Sequence, residues 1–141
     1  MEIHIRPFEP PDEPAVVRLW RSCGLVVPWN DPHADIARKA AVQPELFLIA
    51  HAGERIVGSA MAGYDGHRGW INYLAVDPEC RRQGMGRALM AEAERLLDRL
   101  GCPKVNLQVR TSNREVIDFY RRIGYRSDDV ASLGKRLRSD A

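Results

Sequence analysis

Arg81-Arg82-Gln83-Gly84-Met85-Gly86-Arg87-Ala88 follows an apolar run from Trp70 to Val76 and the turn Asp77-Pro78-Glu79. It opens a segment whose Leu89, Ala93, Leu96, Leu97 and Leu100 fall at helical spacing. Strand, basic glycine loop and helix start, in that order, build an anion site: unpaired backbone N–H groups and the positive end of the helix dipole converge on one spot. Glycine at 84 and 86 lets a phosphate approach the main chain without meeting a Cβ, while Arg81, Arg82 and Arg87 add charge. The pattern predicts a small pyrophosphate-bearing ligand.

Spacing separates the common phosphate loops. A dinucleotide loop needs G-x-G-x-x-G early in the chain and an acidic residue about 20 positions on. Here Leu89 stands at the third glycine position, and the loop lies past mid-chain. The string G-x-x-x-x-G-K-[ST] of a P-loop does not occur. What remains is R-x-x-G-x-G, formed by Arg81, Gly84 and Gly86 after Leu74-Ala75-Val76-Asp77-Pro78. A second block follows a strand-like Val105 to Arg110: Asn113, then Tyr120 seven residues later, then Gly124-Tyr125.

With these two blocks in this order the chain resembles the GNAT superfamily of acetyl-coenzyme A-dependent N-acetyltransferases, and in particular its small bacterial members. The resemblance runs from Ile3 to Leu137 and is specific over residues 70–125. It implies an α/β fold: a mixed, mostly antiparallel sheet of six to seven strands with about four helices, and a splayed parallel pair at the cofactor site. It implies a single domain over residues 1–141. It also implies that Leu74, Ala75, Val76, Arg81, Arg82, Gln83, Gly84, Met85, Gly86, Arg87, Asn113 and Tyr120 hold acetyl-coenzyme A, with Tyr120 the catalytic proton donor to the departing thiolate. From periodicity alone Tyr120 reads as a core residue beside Val116 and Ile123.

Composition agrees with a globular domain. Of the 141 residues 45% are apolar and 28% charged, and the net charge of +2 gives no bulk field toward nucleic acid or membrane. Arg121/Arg122/Arg126 and Lys135/Arg136/Arg138 read as solvated faces. Three widely spaced cysteines, Cys23, Cys80 and Cys102, fit a reducing cytoplasm without a disulfide framework. The four histidines show no ligand spacing, so no metal is expected. No charged-then-apolar leader or membrane-length apolar run occurs, and a cytoplasmic location is expected.

The pass along the chain predicts strands over Glu2 to Arg6, Leu46 to His51, Arg55 to Tyr64, Trp70 to Val76 and Lys104 to Arg110. A last strand pair is expected from Tyr125, its longer half Val130 to Leu137. Helices are expected over Pro10 to Cys23, from Asp31-Pro32 to about Val42, from the glycine loop to Gly101, and after a capping box at Ser112-Asn113-Arg114-Glu115.

Transfer of an acetyl group needs a neutral amine. An alkyl ammonium of pKa near 10.4 is neutral about once in 2,500 at pH 7, about 4.6 kcal/mol of barrier. Many family members carry a Glu on the strand before the Asn-to-Tyr helix; Gln108 stands there in this chain and is no base. Asp65 and His67 are alternatives, as is a water chain, and none is assigned. Acceptor contacts are placed at Trp29 and Asn30, and at Tyr64, Asp65 and His67. The acceptor is a primary amine of a small molecule or peptide. Oligomeric state, a homodimer included, and acyl groups other than acetyl are left open. The competing expectation is a non-catalytic coenzyme A-binding or interaction domain, supported by Gln108 and opposed by Asn113 and Tyr120.

Overall fold

A computed structural model describes residues 2–140. Among these residues one sheet is present: β1 (His4–Pro7), β2 (Phe47–Ala52), β3 (Arg55–Tyr64), β4 (Gly69–Val76) and β5 (Val105–Leu107), in that spatial order. The first four strands pair antiparallel and β4 pairs parallel with β5. Four helices cover the sheet: α1 (Glu13–Ser22), α2 (Pro32–Ala40), α3 (Met85–Arg99) and α4 (Arg114–Arg122).

Period-2 alternation sorts the sheet residues between two cores. Phe47 and Ile49 of β2 face Val16, Leu19 and Trp20 of α1 and Ile36 of α2. Leu48 and Ala50, the residues between and after them, face Met85, Leu89, Met90, Ala93 and Leu97 of α3. Both faces of the sheet are therefore buried, which is why β2 reads as a continuous apolar run.

Helix ends form where the local chemistry places them. Asp31 caps α2, its side chain accepting from the His33 N–H at 2.9 Å, with Pro32 in the first turn. Asn113 caps α4 by accepting from the Val116 N–H at 3.4 Å. With the cap at 113, the third helical residue is Val116, so the expected Ser112-to-Glu115 box is out of frame by one position.

The sheet has five strands, not six to seven. Residues 125–140 contain no strand or helix. Val130, Leu133 and Leu137 are spaced three and four apart, so they cannot share one face of a strand, and all three are exposed. The segment is instead a tail without regular secondary structure. β5 is also shorter than expected: its ladder ends at Ile71↔Leu107, and the Gln108 amide donates to the Ser132 hydroxyl of the tail.

Candidate active site

The site begins with a bulge in β4. Ser59 pairs with Ala75 and Met61 with Asn72, so Tyr73 and Leu74 together oppose Ala60. Tyr73 takes a left-handed φ of 51°, a conformation costing a non-glycine residue about 1–2 kcal/mol. Several contacts hold it. Its ring stacks on Trp20 at a centroid distance of 3.7 Å. The Trp20 Nε1–H donates to Ser59 Oγ at 2.9 Å, and the Ser59 hydroxyl donates to the Tyr73 carbonyl at 2.8 Å. A bulge bends its strand and ends regular pairing. Beyond it, Leu74–Val76 has β3 on one side and no strand on the other, because β4 meets β5 only at Gly69, Trp70 and Ile71.

That open edge leads into the glycine loop. Arg82 (φ 66°) and Gly84 (φ 78°) are both left-handed, and Gly84 caps α3. Left-handed residues two apart curl the backbone into a concavity that collects N–H groups, and the first-turn N–H groups of α3 face the same way. Beyond its immediate chain neighbours, nothing lies within 4 Å of the point a Cβ on Gly84 would occupy, so the front of the loop is open. Arg81, Arg82, Gln83 and Arg87 are exposed around it, and the Arg81 Nε–H donates to the Val76 carbonyl at 3.3 Å. Met85 is buried, so only its main chain faces the loop. The fit to a diphosphate is good: backbone donors, guanidinium groups and an unobstructed concavity at the end of a free strand edge.

Gly86 has a second reason to be glycine. A Cβ there would stand 3.2 Å from Phe119 Cζ and 3.6 Å from Val76 Cγ2. Phe119 thereby brings α4 against the start of α3. Its neighbour Tyr120 is buried in the same core, with edge-on contacts to Phe119 and Tyr125. Tyr120 is among the residues lining a cavity of about 1290 Å³, with Leu107, Gln108 and Ile117, bounded by the tail. Burial pushes its pKa up to about 12, so the phenol is protonated at neutral pH. Asn113 is exposed, and its side-chain oxygen is committed to the cap.

The acceptor residues expected from sequence divide into two groups. Trp29 and Asn30 sit in a turn closed by the Asn30 N–H donating to the Val27 carbonyl at 3.1 Å. The Asn30 amide donates to the Tyr73 hydroxyl at 3.2 Å and to Asp35, and Tyr73 donates to the Asp35 carboxylate at 2.6 Å. Tyr64, Asp65 and His67 lie at the β3–β4 hairpin, at the other end of β4. At 3.3 Å per residue this is about 20 Å from Val76. Asp65 accepts from the His67 and Arg68 N–H groups at 2.8 and 2.7 Å, which holds its carboxyl below the usual range. The backbone of Tyr64 is bridged by the Gln43 side chain. These three residues build a hairpin turn, remote from the loop.

Sequence reasoning missed Tyr73 and Asp35. A bulge leaves no mark in hydrophobic alternation, and Asp35 reads as an ordinary first-turn carboxylate of α2. Also unforeseen is the tail's landing on α2: Asp140 accepts from the Asp31 N–H at 2.9 Å and from Arg38 at 3.0 Å, and Arg136 donates to Asn30 Oδ1 at 3.1 Å.

Comparison with known proteins agrees with this geometry. The model of the acetyltransferase (GNAT) family matches residues 11–125. An acetyltransferase of Yersinia enterocolitica is 47% identical over 135 residues, 96% of each chain. Ard1 from Thermoplasma volcanium superposes with a TM-score of 0.76 at 30% identity, covering 88% of this chain and 82% of that one. The ribosomal-protein-S18-alanine N-acetyltransferase from Escherichia coli superposes with a TM-score of 0.72 at 26% identity, covering 87% and 77%. The chain belongs to the GNAT family of acetyltransferases and is an acyltransferase enzyme.

Proposed function

We propose that this enzyme moves the acetyl group of acetyl-coenzyme A to a primary amine of a small molecule or peptide. One observation carries the reading: the free edge of Leu74–Val76 runs directly into the loop where Arg82 and Gly84 curl the backbone ahead of α3. The loop amides and Arg81, Arg82 and Arg87 bind the diphosphate, and the β4 edge pairs with the pantetheine arm as an added strand would. The co-substrate supplies an activated thioester. A main-chain N–H near Ala75 or Val76 stabilises the negative charge developing on the thioester oxygen, a contribution of about 3–4 kcal/mol.

Tyr120 holds a proton for the departing thiolate. With the phenol near 12 and a thiol near 8.5, complete transfer runs uphill by about 3.5 pKa units, so Tyr120 acts as a hydrogen-bond donor. The acceptor approaches from the α1–α2 face, beside Tyr73 and Asn30. Peptide acceptors draw support from the E. coli relative, named for its action on a ribosomal-protein alanine. Gln108 takes no proton and Asp65 is bound in its turn, so the amine arrives neutral or loses its proton to water.

Thiol release from acetyl-coenzyme A across a panel of amines tests this. Tyr120→Phe is expected to bind coenzyme A with wild-type affinity and turn over about 10–100-fold more slowly; equal rates remove Tyr120 from the mechanism. Gly84→Val strains a left-handed residue and fills the open front of the loop. Calorimetry is expected to show loss of coenzyme A binding, and unchanged affinity removes the loop assignment.

A further inference from the structure

The tail leaves a second cavity of about 690 Å³ on the α2 side, lined by Trp29, Arg38, Lys135, Arg136, Arg138 and Asp140 among others. Arg38 is paired with Asp35 and with the one carboxylate of the lining, Asp140, which leaves the cations Lys135, Arg136 and Arg138. That carboxylate is already committed: Asp140 accepts from Arg38 and from the Asp31 N–H, and its side chain is only 6% exposed. Among the described residues Arg136 donates to two neutral oxygens, Asn30 Oδ1 and the Arg138 carbonyl. Among the described residues neither Lys135 nor Arg138 forms an ion pair. The whole chain carries only +2, so this positive potential is local. Asp140 anchors the end of this segment to α2, and the indole of Trp29, 57% exposed, forms an apolar wall beside the cations.

The position matters as much as the charge. Arg136 donates to Asn30 Oδ1, and the amide nitrogen of the same side chain donates to the Tyr73 hydroxyl. One asparagine side chain thus separates the cationic cavity from the bulge at the start of the free β4 edge. A molecule whose amine reaches that edge places whatever lies a few bonds further along its chain against Arg136, Lys135 and Arg138.

We infer that the cavity between Trp29 and residues 134–140 is an oxyanion subsite of the acceptor site, selecting amines that carry a carboxylate or phosphate a few bonds from the nucleophilic nitrogen. The assignment rests on the N-acetyltransferase reading above. Guanidinium groups bind either oxyanion in bidentate fashion, and the flanking ammonium adds a point charge. Lys135 and Arg138 give selectivity here, whereas Arg136 also fixes Asn30.

Calorimetry of the full chain with coenzyme A, using alanyl-aspartate, alanyl-asparagine and alanyl-phosphoserine, each amidated at its C-terminus so that the side chain carries the only anion, tests it. Alanyl-aspartate is expected to bind at least tenfold more tightly than its carboxamide twin. In Lys135→Gln/Arg138→Gln that preference is expected to fall below threefold, with coenzyme A affinity unchanged. The phosphoserine peptide distinguishes phosphate from carboxylate as the favoured anion. Equal dissociation constants for the aspartate and asparagine peptides, no binding of either acidic peptide, or a preference that survives the double variant overturns the subsite. Acetylation rates on the same peptides keep the two readings apart. Acetylation of all three without charge preference sinks the subsite and leaves the enzyme reading standing. Charge-selective binding without acetylation leaves an anion site standing but removes these amines as acceptors.

Discussion

The ring of Phe119 occupies the space a side chain at residue 86 would need, its Cζ 3.2 Å from where a Cβ on Gly86 would stand. The contact joins the start of α3, which frames the glycine loop, to α4, which carries Tyr120. Gly86→Ala is therefore expected to act first on packing. Overfilling such a contact costs about 1–3 kcal/mol, read as a lowered urea midpoint. Trimming the ring with Phe119→Leu in the same chain is expected to recover part of the loss. If the two substitutions are simply additive, the contact does not govern residue 86.

Ser59 connects both sides of the bulge, accepting from Trp20 Nε1 and donating to the Tyr73 carbonyl. It is fully buried, so Ser59→Ala leaves one donor and one acceptor without partners at about 1–3 kcal/mol for each unsatisfied group. A destabilisation of that size by denaturant titration is expected, together with a lower turnover number as the β4 edge relaxes. A stability change under about 0.5 kcal/mol, in the range of an ordinary surface substitution, would show that the bulge does not depend on this link.

Alkaline pH offers a further check. Tyr120 is held near 12 by burial, while Tyr73 and Tyr125 are raised by burial and by hydrogen bonds to Asp35 and Glu94. In the unfolded chain these phenols ionise near 10. Above that pH the unfolded state binds fewer protons than the folded state, so stability falls as pH rises. Each unit of difference is worth about 1.4 kcal/mol. Between pH 10 and 12 wild type is expected to lose stability faster than Tyr120→Phe in urea titrations; parallel slopes would mean that Tyr120 ionises normally when folded. Below pH 10 the same substitution is expected to leave the pH dependence of stability unchanged.

Much of the architecture was legible from local chemistry. The β3 span, the cap at Asp31-Pro32 and the α3 boundaries follow from alternation, capping residues and turn glycines, whereas the parallel pair came only from the family resemblance. The shape of the glycine loop follows from local chemistry too, because left-handed backbone at Gly84 and helix-start donors depend on neighbouring residues only. The expected last strands failed where the same reasoning has least to hold: Val130, Leu133 and Leu137 do not alternate with period two, and all three are exposed.

By itself, the order of residues determined the loop, the helix starts and the GNAT family, since these depend on spacing along one stretch of chain. Only tertiary structure decided that β4 bulges at Tyr73, that the hairpin holding Asp65 and His67 lies far from the loop, and that the tail lands on α2. Those outcomes come from contacts such as Trp20 on Tyr73 and Asp140 on Arg38, between residues 53 and 102 positions apart in sequence. No local pattern encodes such pairs; they form when burial and charge pairing are satisfied across the whole folded chain.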